Sequence, residues 1–463
     1  MGSAGRRDFR EILYTVDSEG RRKWVYSSTI RGKWHRFRLP LMYLLMTVYL
    51  ALPWLSAGGK QAVLLDIPGR KFTFLGATFW ATDTLYLALF LGGLGAALFL
   101  FTAVMGRVWC GWACPETVFF EFLFRPLERL IEGSAGQRMR LDNGPWDSTK
   151  IRRKTIKYVL FFLLSWVLAA TALAYFIGRD HALEVVLSPP SAHPVYFIVL
   201  LALSGVLLFQ FGWFREQLCT AVCPYARFQS ALLDQDSLVV AYDARRGEPR
   251  GARHEGEGEK GDCIDCGLCV RVCPAGIDIR NGLQLECIHC TACIDACDFM
   301  MEKTKKPAGL IRYDTEAGLS GGRRWLRPRV AAYALVLAVY SGVFAWALSG
   351  RALSEFRVFR SPGGESFEVL AGGAVSNALQ LHSSNKSDRR RSYRVDVEGS
   401  PGIRAVTPVR DFPVEAGELG TLPLFITFPR TALSNGRAEV VVRLSDDAGY
   451  RGRQEVTLLG PEG

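Results

Sequence analysis

The twelve cysteines of this 463-residue chain fall in four tight groups between Cys110 and Cys297, and none lies beyond Cys297. Disulfide frameworks spread cysteines over loops, whereas cofactor sites gather them, so the grouping points to metal ligands. Cys263, Cys266, Cys269 and Cys273 read C-x2-C-x2-C-x3-C with Pro274 following, and Cys287, Cys290, Cys293 and Cys297 repeat the spacing. Three closely spaced thiolates wrap one cubane iron–sulfur cluster, while the fourth cysteine of each run crosses to the other cluster. By that rule Cys263, Cys266, Cys269 and Cys297 hold one 4Fe-4S cluster, and Cys287, Cys290, Cys293 and Cys273 hold a second. Asp298 stands in the second run where the first has Pro274, a minor departure beside one ligand. Closed zinc sites use pairs of C-x2-C separated by longer gaps, which this doubled run does not match. His289 lies inside the second run, but that run's ligation is already complete, so a surface histidine is the better reading.

The other two groups are copies of C-x3-C-P, "WCGWACPETVFF" with Cys110 and Cys114 and "LCTAVCPYARFQ" with Cys219 and Cys223. Four-residue spacing stacks two side chains on one helical face. Alternatively Pro115 and Pro224 open new helices at the first position, which proline prefers. Cys114 and Cys223 are then N-caps, where the helix dipole favours the thiolate. Either geometry presents soft sulfur suited to Cu(I), zinc or an iron–sulfur centre. Four inert buried cysteines are the competing reading, and two copies with one spacing and context weigh against it. His181 and His193 share a short loop and could touch a metal, although a solvated role fits them better. Met300 and Met301 read as packing residues.

These groups need elements to hold them. Five apolar stretches, residues 39–57, 85–105, 158–177, 195–214 and 330–348, are free of internal charge and near the roughly 20 residues that cross a hydrocarbon core. Arginine and lysine decide their orientation: ten in residues 1–38 and nine in 106–156, against three in 58–83 and one in 178–194. That bias places the N-terminus, both C-x3-C-P motifs and the eight-cysteine region inside, and everything after residue 350 outside. The arm of residues 1–38 is too long and too charged for a signal peptide, so the first helix is expected to stay as an anchor. The net charge of +11 flanks apolar segments and forms no stripe with interleaved aromatics, which favours a membrane and excludes nucleic acid as the partner.

Residues 351–463 change character. Short alternating runs such as "SYRVDVEG", "LPLFITFP" and "AEVVVRLS", separated by turn residues, carry the period-2 signature of a small all-β sandwich. Without cysteine it has no core disulfide, and a docking or structural role is expected. "YDARRGEPRG" reads as a linker, and "FFEFLFRPLERLIEG" as a helix lying in the membrane interface. The chain is thus multi-domain. A cytoplasmic basic arm (1–38) precedes four helices of an α-helical membrane bundle with C-x3-C-P motifs (39–214). An α+β two-cluster ferredoxin-like insert (215–329), a fifth membrane helix (330–350) and an all-β immunoglobulin-like sandwich (351–463) follow.

The ordered combination of "GRVWCGWACPETV", "REQLCTAVCPYARFQSALLDQDSLVVAYDARRGEPRG", "GDCIDCGLCVRVCPAGIDIRNGLQLECIHCTACIDACD" and "GLIRYDTE" resembles the FixG/RdxA/CcoG family of cytochrome c oxidase accessory proteins. The resemblance covers nearly the whole chain. Glu116 stands where that pattern has glutamine, and Gly267 and His289 vary within the cysteine loops; none touches a proposed ligand. The resemblance implies a cupric reductase of the bacterial inner membrane that delivers Cu(I) for assembly of a cbb3-type haem–copper oxidase. It implies membrane lipid, copper, and oxidase assembly factors or a copper transporter as partners. Electrons from a cytoplasmic donor of unknown identity then pass through two clusters to copper held near Cys110, Cys114, Cys219 and Cys223. The same layout is similar to membrane quinol-oxidising subunits that feed periplasmic reductases, and a non-redox copper chaperone or assembly scaffold is a third reading.

Overall fold

Among the described residues, five helices are long and apolar enough to cross a membrane: Lys33–Trp54, Thr84–Met105, Ser148–Ile177, Pro194–Phe214 and Pro328–Ser349. They belong to a computed structural model that describes residues 15, 19, 21–69, 71–80, 83–251, 260–322, 327–361, 366–370, 372–387 and 389–461. They expose Leu85, Leu91, Leu94, Val195, Ile198, Leu335 and Val339, large apolar side chains of the kind that face lipid. The first helix begins at Lys33, earlier than its apolar run, and its α-helical part ends at Ala51. Pro53 sits in the tighter turn Leu52–Trp54, where its missing N–H costs nothing in a continuing ladder. The third helix begins ten residues before its apolar run, because the charged stretch from Ser148 is helical as well. Asp147 caps it by accepting the Lys150 backbone N–H.

The chain folds as two units, residues 1–54 with 85–344 and residues 55–84 with 345–463. In the first unit the strands Val239–Tyr242 and Ile311–Asp314 pair antiparallel and bracket the eight-cysteine region. Val240, Ile277, Ile279, Ile294, Met301, Leu310 and Ile311 form its core, so Met301 packs as expected. Residues 242–251 are not simply a linker: Tyr242 closes the strand, and Asp243 caps a helical turn, Ala244–Gly247. The first long helix lacks a cap of its own. Asp295, in the helix Ala292–Lys303, supplies one by accepting the Trp34 and His35 backbone N–H groups at 3.0 and 2.8 Å. Gly32 leaves the room; a Cβ there would collide with the Asp295 carboxylate.

The expected interfacial helix after Pro115 is instead buried on both sides. Phe119, Phe120, Phe122 and Phe124 pack against Phe161 and Phe211, while Arg125, Glu128 and Glu132 are buried on the polar side. Glu128 accepts from Arg138 and Lys157 and pairs with Arg215. Burial opposes ionisation of Glu128, but Arg215, Lys157 and Arg138 outweigh it and hold the carboxyl well below its usual range.

The second unit stacks two antiparallel sheets. One runs Arg404–Val406, Leu419–Pro429, Ala374–Asn385, Ser354–Arg360, with Glu368–Val369 on the third; the other runs Asp411–Val414, Arg391–Glu398, Arg437–Asp446, Arg451–Leu459. Strand alternation turns Leu422, Leu424, Ile426 and Phe428 inward from one sheet and Val440, Val442 and Leu444 from the other. Residues 55–84, expected as a plain connecting loop, form a hairpin, Ser56–Ala57 with Lys60–Gln61, and a meander, Val63–Asp66, Lys71–Phe74 and Ala77–Trp80. Asp83 follows, buried against Lys386 and Arg351.

Burial disfavours the Asp83 carboxylate, yet the Lys386 ammonium, the Trp80 N–H and Arg351 together hold its pKa below the usual value. A depressed carboxyl pKa contributes stability above the unfolded value, near pH 4, and that contribution disappears as pH falls through the folded one. Asp83→Ala should destabilise this unit by about 1–3 kcal/mol, because Lys386 keeps Glu355 at 2.8 Å while the buried hydrogen bonds of the carboxylate are lost. Thermal unfolding at pH 7 and pH 3 checks it: the mutant's deficit should shrink in acid.

Candidate metal centre

The first cysteine run ends in the short helix Leu268–Arg271, entered through Gly267 at φ 64°, and the second enters the helix Ala292–Lys303 through Thr291 at φ 66°. These left-handed residues reverse the chain so that successive sulfurs face one space. A cavity lined by Cys263, Cys266, Cys269 and Cys297 lies in one lobe, and a second, lined by Cys273, Cys287, Cys290 and Cys293 and touched by Cys269, lies beside it. Each fourth cysteine thus joins the other run's first three. The electrostatic neighbours agree: Cys297 faces Cys269 and Cys263, and Cys273 faces Cys290 and Cys287. Among the described residues no three His, Cys, Asp or Glu side chains converge tightly enough to grip a single ion. Four sulfurs around a cavity walled by Ile277, Ile279 and Val240 suit a polynuclear cubane instead.

Burial pushes the Cys287 and Cys297 thiols up to about 12 and Cys269 up to about 11. Bare sulfurs here stay protonated, and the thiolate form needs a metal, which deprotonates a coordinating thiol outright.

The C-x3-C-P motifs take the N-cap geometry. Pro115 and Pro224 are the first residues of the helices Pro115–Phe119 and Pro224–Leu232, with Cys114 and Cys223 extended before them. Cys110 faces Cys223, Cys114 faces Cys110, and Cys219 faces Cys114 and Cys110, so the four thiols from two distant segments come together. The helix dipole does not prevail at Cys114. Burial pushes its thiol up to about 11 against the Glu116 and Thr117 N–H groups. Wide helical turns, Gln210–Phe214 and Leu218–Val222, flank the second motif, a distortion common at functional sites.

This four-thiol set lies against the second cysteine run. Arg38 donates to the Gly111 carbonyl at 2.7 Å and to the Cys290 carbonyl at 2.7 Å. Cys287 faces Cys110, and Cys293 faces Cys269. The twelve sulfurs are therefore ordered as three neighbouring sets: Cys263's, then Cys287's, then the C-x3-C-P set.

Several residues at this junction are not distinguished by sequence. His289 is fully buried rather than on the surface. Its Nδ1 accepts the Arg107 backbone N–H at 3.1 Å, and burial, aided by Arg107, pushes its pKa down to about 3, so the ring is neutral. Tyr313 donates to the His289 carbonyl and accepts from Trp112 Nε1. Cys110 Sγ donates to Gln229 Oε1 at 3.2 Å, and Arg107 Nε donates to the same oxygen. The one available signal was the position of His289 between two ligands. Glu116 is almost enclosed beside Cys219; burial pushes its carboxyl up to about 8, with Gln210 donating to it at 2.9 Å. At neutral pH it is the uncharged form, which resolves its presence where glutamine is expected. His181 and His193 both bond Glu184, at 3.3 and 3.2 Å, in a half-exposed cluster apart from the cysteines.

Residues 214–316 match the family described as a 4Fe-4S dicluster domain, residues 87–133 a 4Fe-4S binding domain, and residues 344–461 an Ig-like fold at the C-terminus of FixG. Protein RdxA of Cereibacter sphaeroides is 36% identical over 450 residues, covering 92% of this chain and 94% of that protein. Nitrogen fixation protein FixG of Rhizobium meliloti is 34% identical over 469 residues, covering 89% and 87%. The crystal structure of a FixG-related protein from Vibrio parahaemolyticus is 21% identical with a TM-score of 0.22, covering 24% of this chain and 98% of that one.

The contact at Gly111 is open to test. A Cβ there would strike the Ile288 carbonyl oxygen and lie 2.9 Å from Cys290 Cα. Gly111→Ala should cost about 1–3 kcal/mol of overpacking and alter the reduced-cluster EPR spectrum of the Cys287 set, while iron content stays near that of the unaltered protein.

Proposed function

The chain belongs to the FixG/RdxA family and is a membrane iron–sulfur electron-transfer protein with two clusters, and from that premise we propose that it is a cupric reductase of the bacterial inner membrane. Cys263, Cys266, Cys269 and Cys297 would hold one 4Fe-4S cluster, and Cys287, Cys290, Cys293 and Cys273 the other. The clusters supply one-electron steps when bound. Copper is the substrate, and Cys110, Cys114, Cys219 and Cys223 receive it. The observation that carries this reading is the approach of the first C-x3-C-P motif to the second cysteine run, with Gly111 against Cys290 and Cys110 facing Cys287.

The chain's own residues account for the direction of the reaction. Each Cu(II) takes one electron, and the product Cu(I) is the softer ion, so four sulfurs favour it over Cu(II) and raise the driving force. Neutral Glu116 beside Cys219 adds no competing hard carboxylate at neutral pH. In this reading the clusters face the cytoplasm, following the arginine and lysine bias. The sandwich of residues 351–463 lies outside, where it docks oxidase assembly factors or a copper transporter during maturation of a cbb3-type oxidase.

Replacing Cys219 and Cys223 together by serine tests the assignment. Dithionite-reduced mutant should retain about eight irons per chain, as two cubanes require, and an unaltered cluster EPR spectrum. Its reoxidation by Cu(II) should slow at least about 100-fold, the loss typical when a reacting group is no longer positioned. Undiminished copper reduction would overturn the site.

A further inference from the structure

A cavity of about 200 Å³ opens beside the first turns of the first membrane helix, and the reading above gives it no role. Its walls include His35, Tyr43, Glu121, Phe122, Arg129 and Cys290. We propose that this cavity binds the head of a membrane quinol, and that the quinol is the electron donor to the clusters. The inference rests on the electron-transfer reading of the eight cysteines, and not on copper as the acceptor.

Four features converge on a quinol. The first is position. Tyr43 and Leu39 line the cavity while standing 50% and 36% exposed on a membrane-spanning helix. A ligand anchored in lipid therefore reaches the cavity without crossing water. The second is electron access, because the wall contains Cys290, a proposed ligand of the cluster nearest the C-x3-C-P set. The third is chemistry at both ends of a ring. His35, stacked on Phe122 with centroids 6.1 Å apart, offers an imidazole, and Glu121, ion-paired with Arg125 at 2.5 Å, offers a carboxylate. Arg129 Nε is buried with no hydrogen-bond partner among the described residues, a donor suited to the carbonyl oxygen of the oxidised ring. The fourth is size. The volume is below the roughly 300–1,000 Å³ that encloses a drug-sized ligand, and so fits one ring of a molecule whose tail stays in the bilayer.

Oxidation balances on these residues. The two quinol O–H bonds break; one proton passes to the His35 imidazole and the other to the Glu121 carboxylate, which gives up its ion pair with Arg125 on protonation. Two electrons leave one at a time across the Cys290 wall, and the ring departs as quinone. In the copper reading, two Cu(II) ions consume the pair. An anionic lipid headgroup would also meet the arginines here, but it would have no use for a cluster ligand in the wall.

The test uses the full-length protein in lipid nanodiscs under anaerobic conditions. A short-tailed benzoquinol should bleach the oxidised-cluster absorbance and raise the reduced-cluster EPR signal. His35→Leu should slow this about 100-fold, the usual loss of a positioned proton acceptor, while dithionite reduces both proteins equally. A photoreactive azidoquinone should label peptides containing His35 or Phe122, and Ser28→Phe, which fills the cavity, should abolish the label. The proposal is overturned if benzoquinol leaves the clusters oxidised while dithionite reduces them. It is equally overturned if the label falls elsewhere or is displaced by cardiolipin and not by unlabelled quinone. Copper reduction by dithionite-reduced protein is read separately, so failure of the donor assignment is distinguishable from failure of the reductase reading.

Discussion

Arg38 is the residue on which the assembly of the metal region depends. It enters from the first membrane helix, is 6% exposed, and spends its guanidinium on two carbonyls, Gly111 of the first C-x3-C-P motif and Cys290 of the second cysteine run. Three segments far apart in sequence are thereby fixed to one charged group. A guanidinium suits this task because its rigid fork serves several acceptors at once and it never loses its charge. Asp295 completes the attachment from the other side by capping the same helix. Together with the bonds of Arg107 to His289 and of Trp112 to Tyr313, these contacts make the cluster-binding insert part of the membrane bundle. The order of the three sulfur sets exists only while they are docked.

The grouping of the eight cysteines around two cavities was legible because it is set locally: three sulfurs of each set lie within seven residues of one another, and only the fourth comes from the other run. The five membrane helices and the alternating strands were legible for a similar reason, since lipid and a sheet face each impose a short repeat. What escaped was set by distant partners. Nothing near Asp83 announces Lys386, and the strands of residues 55–84 are too short to rise above a loop. His289 looked solvent-facing because a completed ligand set leaves a histidine no role within its own run. Its role comes from Arg107, whose N–H needs an acceptor in a dry place.

The helix after Pro115 failed for a related reason. Alternating bulky and charged residues describe an interfacial helix and a helix buried between apolar and ionic cores equally well, and only the tertiary partners separate them. Here Arg138, Lys157 and Arg215 reach Glu128 from other elements. Removing one member leaves uncompensated buried charge, so such networks are costly to break even where they add little net stability. They also fix geometry, because Arg215 stands four residues before Cys219 and ties the second C-x3-C-P motif to the bundle.

The distribution of arginines gives the metal region its electrostatic logic. Metal-bound thiolates concentrate negative charge in a buried volume, which is expensive without compensation. One guanidinium stands beside each sulfur set: Arg280 faces Cys269, Arg38 faces Cys290, and Arg107 faces both Cys287 and Cys110. Arg107 therefore sits at the boundary where an electron would pass from the ferredoxin-like sulfurs to the C-x3-C-P set. A positive charge shared across that boundary favours added negative charge on either side and so narrows the difference between them. Neutral Glu116 acts in the same direction, since an ionised carboxylate beside Cys219 would oppose arrival of the electron. The junction is thus graded by fixed cations and an uncharged acid, and the sulfurs supply the ligands within a field that other residues set.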